Sequence, residues 1–126
     1  MKTYDILFED GAEPEPHELH TALFLRKNGK KVIFLAPKNQ PNIKTPDILM
    51  DGMEWEIKSP VSTGSRVMEH ALRSATKQSP NVIIDLRRSS LSDERAMRQI
   101  TFTASKRTAL HRLIVISKAG KLLDIK

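Results

Sequence analysis

The sequence predicts an α/β fold, a mixed β-sheet flanked by helices, and three observations carry that prediction. Apolar runs short enough for strands occur at "KVIFLA" (31–36), "NVIIDL" (81–86) and "HRLIVIS" (111–117), and the second has the continuous character of a central strand. Between them lie amphipathic segments with helix start and stop signals. Asp51-Gly52, flanked by alternating apolar residues, is a strong two-residue hairpin signal. Together they give the order β-α-β-β-β-α-β-α-β-β.

Each element has its own justification. "TYDILFE" (3–9) reads as a first strand, and the turn-rich "EDGAEPEP" (9–16) breaks it. A helix runs from about Pro16 to Lys27 and stops at Asn28-Gly29, with an expected apolar stripe of Leu19, Ala22 and Leu23 and with Leu25 to one side. After strand 31–36, "PKNQPNIKTP" (37–46) is a loop punctuated by three prolines, followed by the hairpin. A second helix spans about Ser65 to Ser79, with Val67, Ala71, Leu72 and Ala75 as its buried stripe. "SLSDERAMRQITFTASKR" (90–107) opens with serine and acids, as a helix N-terminus should. "HRLIVIS" and "KLLDIK" (121–126), joined around Ala119-Gly120, form a closing strand pair.

A chain of 126 residues suffices for a single domain, 1–126, with a real core. There is no cysteine, which excludes disulfides and thiolate metal sites and leads us to expect a cytosolic setting. No apolar run approaches a membrane span, so no membrane partner is expected. The net charge is +6, unevenly spread: residues 1–58 carry 10 acids against 8 bases, residues 59–126 carry 5 against 13. Such a basic half favours a polyanion, although charge alone is equally compatible with simple solubility.

Taking Asp51-Gly52 as a type I′ turn fixes the hairpin register: Met50 with Met53, Leu49 with Glu54, Ile48 with Trp55, Asp47 with Glu56. One face then holds Ile48, Met50, Met53, Trp55 and Ile57, and the other holds Asp47, Leu49, Glu54, Glu56 and Lys58. Directly opposed carboxylates, with Cβ atoms about 5 Å apart, repel unless a proton or cation sits between them. A divalent oxygen-ligand cation, Mg²⁺ or Mn²⁺, would turn Asp47 and Glu56 into a metal site, and Lys58 reaches the same volume. Two acids, a metal and a lysine suit phosphodiester hydrolysis. The alternative is a solvated charged face. Glu18, at the border of the first helix's apolar stripe, can supply a third acid or can simply cap its helix.

On the second helix Arg66, His70, Arg73 and Lys77 form a positive row suited to backbone phosphates, or an ordinary solvated face. Gln78 falls near the sheet and can bond a metal-bound water, a phosphate or a backbone carbonyl. Arg87 and Arg88, with Arg95, Arg98, Lys106 and Arg107, extend the positive character. His17 and His20 flank Glu18, and no spacing supports zinc. No Gly-rich phosphate loop or serine nucleophile elbow occurs.

Helical Glu18, then "PD" at Pro46-Asp47, then "EIK" at Glu56-Ile57-Lys58, resembles the PD-(D/E)XK nuclease superfamily, whose α-β-β-β-α-β core matches the order read from residue 16 to 86. More narrowly, "HEL…KTPDILMDGMEWEIKSP…KQSPNVIIDL" is similar to the C-terminal nuclease domains of contact-dependent growth inhibition toxins and to related phage or mobile-element proteins. The resemblance covers about residues 17–86 and implies a restriction-endonuclease-like fold and cleavage of tRNA or DNA. It implies Asp47 and Glu56 as metal ligands, Glu18 as an aid to the metal or its water, and Lys58 as base or transition-state stabiliser. It also gives Gln78 a place near the metal and admits a cognate inhibitor protein as a partner. The chain opens on Met1 without a delivery module, which sets an expectation against a secreted role. A catalytically silent nucleic-acid-binding domain and an interaction protein with an acidic face remain the alternatives, and DNA and RNA stay undivided.

Overall fold

The computed structural model describes residues 6–38, 41 and 44–126. Seven strands form one mixed sheet in sequential order: β1 (Ile6–Phe8), β2 (Val32–Phe34), β3 (Ile48–Met50), β4 (Met53–Lys58), β5 (Asn81–Asp85), β6 (Arg112–Ile116) and β7 (Leu122–Asp124). Three helices connect the parallel pairs: α1 (Pro16–Lys27) joins β1 to β2, α2 (Val67–Thr76) joins β4 to β5, and α3 (Asp93–Lys106) joins β5 to β6. The predicted element order is the observed one. Residues 3–5 of the expected first strand, and Asn39, Gln40, Asn42 and Ile43 of the proline loop, lie outside the described residues.

The sheet separates two apolar clusters. α1 packs Ala22 and Leu25 against Val32, Phe34, Ile48, Met50, Trp55, Ile57 and Ile83. On the opposite face α2 and α3 pack Met68, Leu72, Ala75, Ala96 and Ile100 against Val82, Ile84, Leu113 and Val115. β5 is apolar throughout its centre because it serves both faces, Val82 and Ile84 on one, Ile83 on the other. The expected helix stripes shift slightly. In α1, Leu23 is exposed while Leu25 and Thr21 are buried, because the helix turns Thr21 toward the sheet. In α2, Met68 joins Leu72 and Ala75 in the core, and Val67 and Ala71 are only half-buried.

The hairpin has the expected turn. Asp51 and Gly52 take φ of 54° and 75°, the pair of positive values that a type I′ turn demands. The register is Met50↔Met53, Leu49↔Glu54 and Ile48↔Trp55. There the ladder stops, and this corrects the expected direct pairing of Asp47 with Glu56. The Asp47 N–H donates to the Trp55 carbonyl at 3.0 Å. Its side-chain Oδ2 accepts the Ile57 N–H at 2.8 Å. A carboxylate thus replaces a main-chain carbonyl as the partner of β4.

Candidate active site

β4 positions the central residues. Trp55 and Ile57 enter the cluster beneath α1, so alternation turns Glu56 and Lys58 toward α2. Glu56 is only 4% exposed. Gln78, just past the end of α2, donates from Nε2 to Glu56 Oε2 at 2.7 Å. Lys58 Nζ stands 3.7 Å from the same oxygen and donates to Ser74 Oγ at 3.2 Å. Glu56 Oε1 is buried with no hydrogen-bond partner among the described residues, which is costly for a carboxylate.

Asp47 is held from three sides, through its N–H, its Oδ2 and its carbonyl, which accepts the Leu35 N–H at 3.0 Å. α1 brings in Glu18, whose Oε1 accepts the Glu15 N–H at 2.9 Å and so caps its own helix. A cleft of about 160 Å³ opens where Glu18 and Asp47 meet, with Glu13, Pro46 and Lys38 on its walls.

The electrostatics follow from burial and crowding. Burial pushes the Glu56 carboxyl up to about 8; the Asp47 carboxylate adds to the rise, Lys58 opposes it, and Glu18 contributes a little more. Burial likewise raises Glu18 to about 7, against the lowering effect of the Glu15 N–H and with a further push from Asp47. Around neutral pH the metal-free site therefore holds protons that a solvated cluster would lose.

The donor chemistry fits a hard divalent cation: the acids offer only oxygens, and one buried oxygen lacks a partner. Asp47 and Glu56 are the residues that could hold it. Among the described residues no three His, Asp or Glu side chains converge on a single point, so water or substrate oxygens would complete the shell.

The structure gathers Gln78 and Lys58 on Glu56, sets Glu18 beside Asp47 in the adjoining cleft, and leaves Arg66, His70, Arg73 and Lys77 as an exposed row along α2. Arg66 forms an ion pair with Glu69 at 2.6 Å. Arg98 pairs with Glu94, and Arg107 donates to Thr76. Arg87 is engaged by an acid that sequence reasoning missed: buried Asp85, at the end of β5, which also accepts from Thr21 Oγ1 at 2.6 Å. These donors hold Asp85 below its usual range despite its burial, and the acid raises Arg87 in turn. The available signal was a lone Asp ending an apolar strand, two residues before the first of two arginines. Ser74, which holds Lys58, left no signal.

Comparison with known proteins gives two findings. The family model of the contact-dependent growth inhibition CdiA C-terminal domain matches residues 44–122, a span that includes Asp47, Glu56, Lys58 and Gln78 and begins after Glu18. A solved structure described as a CdiA-CT/CdiI toxin and immunity complex from Burkholderia pseudomallei is similar with a TM-score of 0.72 and 23% identity, covering 97% of this chain and 99% of that one. No curated protein matches in sequence.

Proposed function

The chain belongs to the contact-dependent growth inhibition CdiA C-terminal domain family, and from that premise we propose that it is a growth-inhibiting toxin domain acting as a metal-dependent nuclease of the PD-(D/E)XK type. The observation that carries this reading is the buried Glu56 carboxylate, one oxygen bonded to Gln78 and the other without a partner, set between Asp47 and Lys58. Most buried side-chain oxygens have a hydrogen-bond partner, so an orphaned one beside a second carboxyl supports a site for a shared proton or a cation.

In this reading Asp47 and Glu56 hold Mg²⁺ or Mn²⁺ through their oxygens. When bound, the cation supplies a Lewis acid for the scissile phosphate and lowers the pKa of a coordinated water. Gln78 fixes the Glu56 carboxylate, so its free oxygen keeps its aim. Ser74 and Glu56 together hold the Lys58 ammonium at the edge of the site. From there it offsets the charge that develops on the phosphate oxygens or orients the attacking water. Glu18, with its carboxyl near neutral-pH titration, receives or returns a proton from that water across the cleft. The exposed α2 row meets the phosphate backbone of tRNA or DNA. A cognate inhibitor protein is part of the proposal, since the similar Burkholderia protein is in complex with an immunity protein.

A second reading, a silent nucleic-acid-binding domain of the same fold, is favoured by one observation: Glu18 is turned back to cap α1. Cleavage decides between them. Total tRNA and duplex DNA are incubated with the protein in Mg²⁺, in Mn²⁺ and in chelator, beside Glu56→Ala. Metal-dependent cutting lost in the variant supports the nuclease. Salt-sensitive binding without cutting, equal in both proteins, leaves the silent domain.

A further inference from the structure

A second cavity, of about 240 Å³, lies beyond the end of β4 on the α1 side of the sheet, lined by His17, His20, Ser59, Asp85, Arg87 and Arg88. Its acid is already neutralised. Arg87 donates to Asp85 through Nε at 3.0 Å and through Nη2 at 2.8 Å, and Nη2 also reaches the His20 carbonyl at 3.0 Å. The guanidinium stacks 4.8 Å over the Phe24 ring, which fixes its plane. Nη1 makes no hydrogen bond among the described residues, so a rigid fork keeps donors to spare. Arg88 is exposed and donates to the Ser59 carbonyl at 3.3 Å. Ser59 Oγ, buried in the wall, has no hydrogen-bond partner among the described residues. A cavity with two arginines, two imidazoles and an unsatisfied hydroxyl has the chemistry of a phosphate site.

Its position gives it meaning. Ser59 follows Lys58, one strand residue or about 3.3 Å along the chain, and His17 precedes Glu18 on α1. The cavity therefore abuts the acidic site from the side opposite α2. We propose that it is a subsite for a backbone phosphate of the nucleic-acid strand, next to the phosphate that is cut, with Arg88 and Ser59 as direct contacts and Arg87 as the fixed wall. The proposal rests on the nuclease reading for its substrate, but its binding step needs no metal. Asp85 and Thr21 act through Arg87, as positioning residues.

The test is equilibrium binding of fluorescently labelled tRNA and of a labelled DNA duplex, in chelator, over a range of salt concentrations. The variants are Arg88→Ala and Ser59→Ala, both at positions where little packing is lost. The control is Arg112→Ala, an exposed arginine at the opposite end of the sheet, paired in register with Asn81. Arg88→Ala should weaken binding about tenfold near physiological salt and lower the slope of log K against log salt by about one. Ser59→Ala should weaken it about threefold with the slope unchanged, and Arg112→Ala should match wild type. If Arg88→Ala and Ser59→Ala both bind like the control, the subsite is refuted, even where Glu56→Ala abolishes cleavage and the nuclease stands. If they lose binding while no metal supports cleavage, the subsite stands and the nuclease falls. Absence of binding by the wild type overturns the subsite as well.

Discussion

Replacing Glu56 with Gln should make the metal-free protein more stable at alkaline pH, at the expense of activity. Glu56 is almost fully enclosed, and its carboxyl is raised from 4.5 to about 8. Below pH 4.5 it is neutral in both folded and unfolded chains and costs nothing. Between pH 4.5 and 8 the unfolded chain releases the proton while the folded protein retains it. The unfolded state then binds fewer protons, so stability falls as pH rises. The fall is about 1.4 kcal/mol for each pH unit crossed, or about 3 kcal/mol from Glu56 alone between roughly pH 5.5 and 8.5. Glu18 adds to the fall in the same direction. Asp85, held below its usual range, is ionised throughout this window and contributes no slope. For a chain of this size the change corresponds to roughly 10 °C in Tm. The Gln side chain has the same shape and still offers an oxygen to Gln78, so Glu56→Gln should fold. Thermal and urea unfolding followed by circular dichroism, in chelator at constant ionic strength, measures the effect. Wild type should lose stability across the window and the variant should lose far less, ending more stable at its alkaline end. A wild type whose stability is flat or rises across the window, or a variant that falls in parallel with it, would refute the account of this carboxyl.

Other expectations are as direct. Mg²⁺ should raise the Tm of wild type more at about pH 8.5 than at about pH 5.5, because a cation displaces the retained protons. That rise should vanish in Asp47→Asn combined with Glu56→Gln; an equal rise in both proteins would mean that binding lies elsewhere. Gln78→Ala should cut turnover by about tenfold or more while changing tRNA binding little, since it orients a ligand rather than touching the backbone; kinetics under saturating substrate separate the two. Arg87→Ala strands the buried Asp85 carboxylate and should cost about 2–4 kcal/mol in urea unfolding, most of it recovered in the double variant with Asp85→Asn. Gly52→Val puts a β-branched residue at φ 75° and should cost about 1–2 kcal/mol, read from the same unfolding curves.

What could be read from the sequence was local. The Asp51-Gly52 turn admits one register, so the pairs from Met50↔Met53 to Ile48↔Trp55 followed from two residues. The continuous apolar run at 81–86 had the character of a central strand, and 111–117 that of one strand in a closing pair. What escaped depended on neighbours distant in sequence. Nothing within "MEWEIK" says that Glu56 is buried, because α2 and Gln78 close over it from 22 residues away. Leu23 and Leu25 are equally good apolar positions on a helix; Thr21 reaching Asp85, 64 residues on, selects the face that turns inward. The departure at Asp47 is invisible to strand alternation, since a side chain there takes the place of a main-chain acceptor.

That substitution ties architecture to chemistry at a single atom. Asp47 Oδ2 is at once a rung of the ladder and a proposed cation ligand. Most replacements at this position would therefore harm folding and activity together, and a chain losing its toxicity by mutation would more readily do so at Lys58 or Gln78, where the scaffold is spared. Because the rung lies inside the sheet, the place of Asp47 is set as soon as the hairpin forms, while Glu56 and Lys58 gain their partners only when α2 packs over them. On the proposed reading, a cell making this protein would meet the finished site once the domain has folded. An inhibitor would then have to cover the site from outside, and quickly.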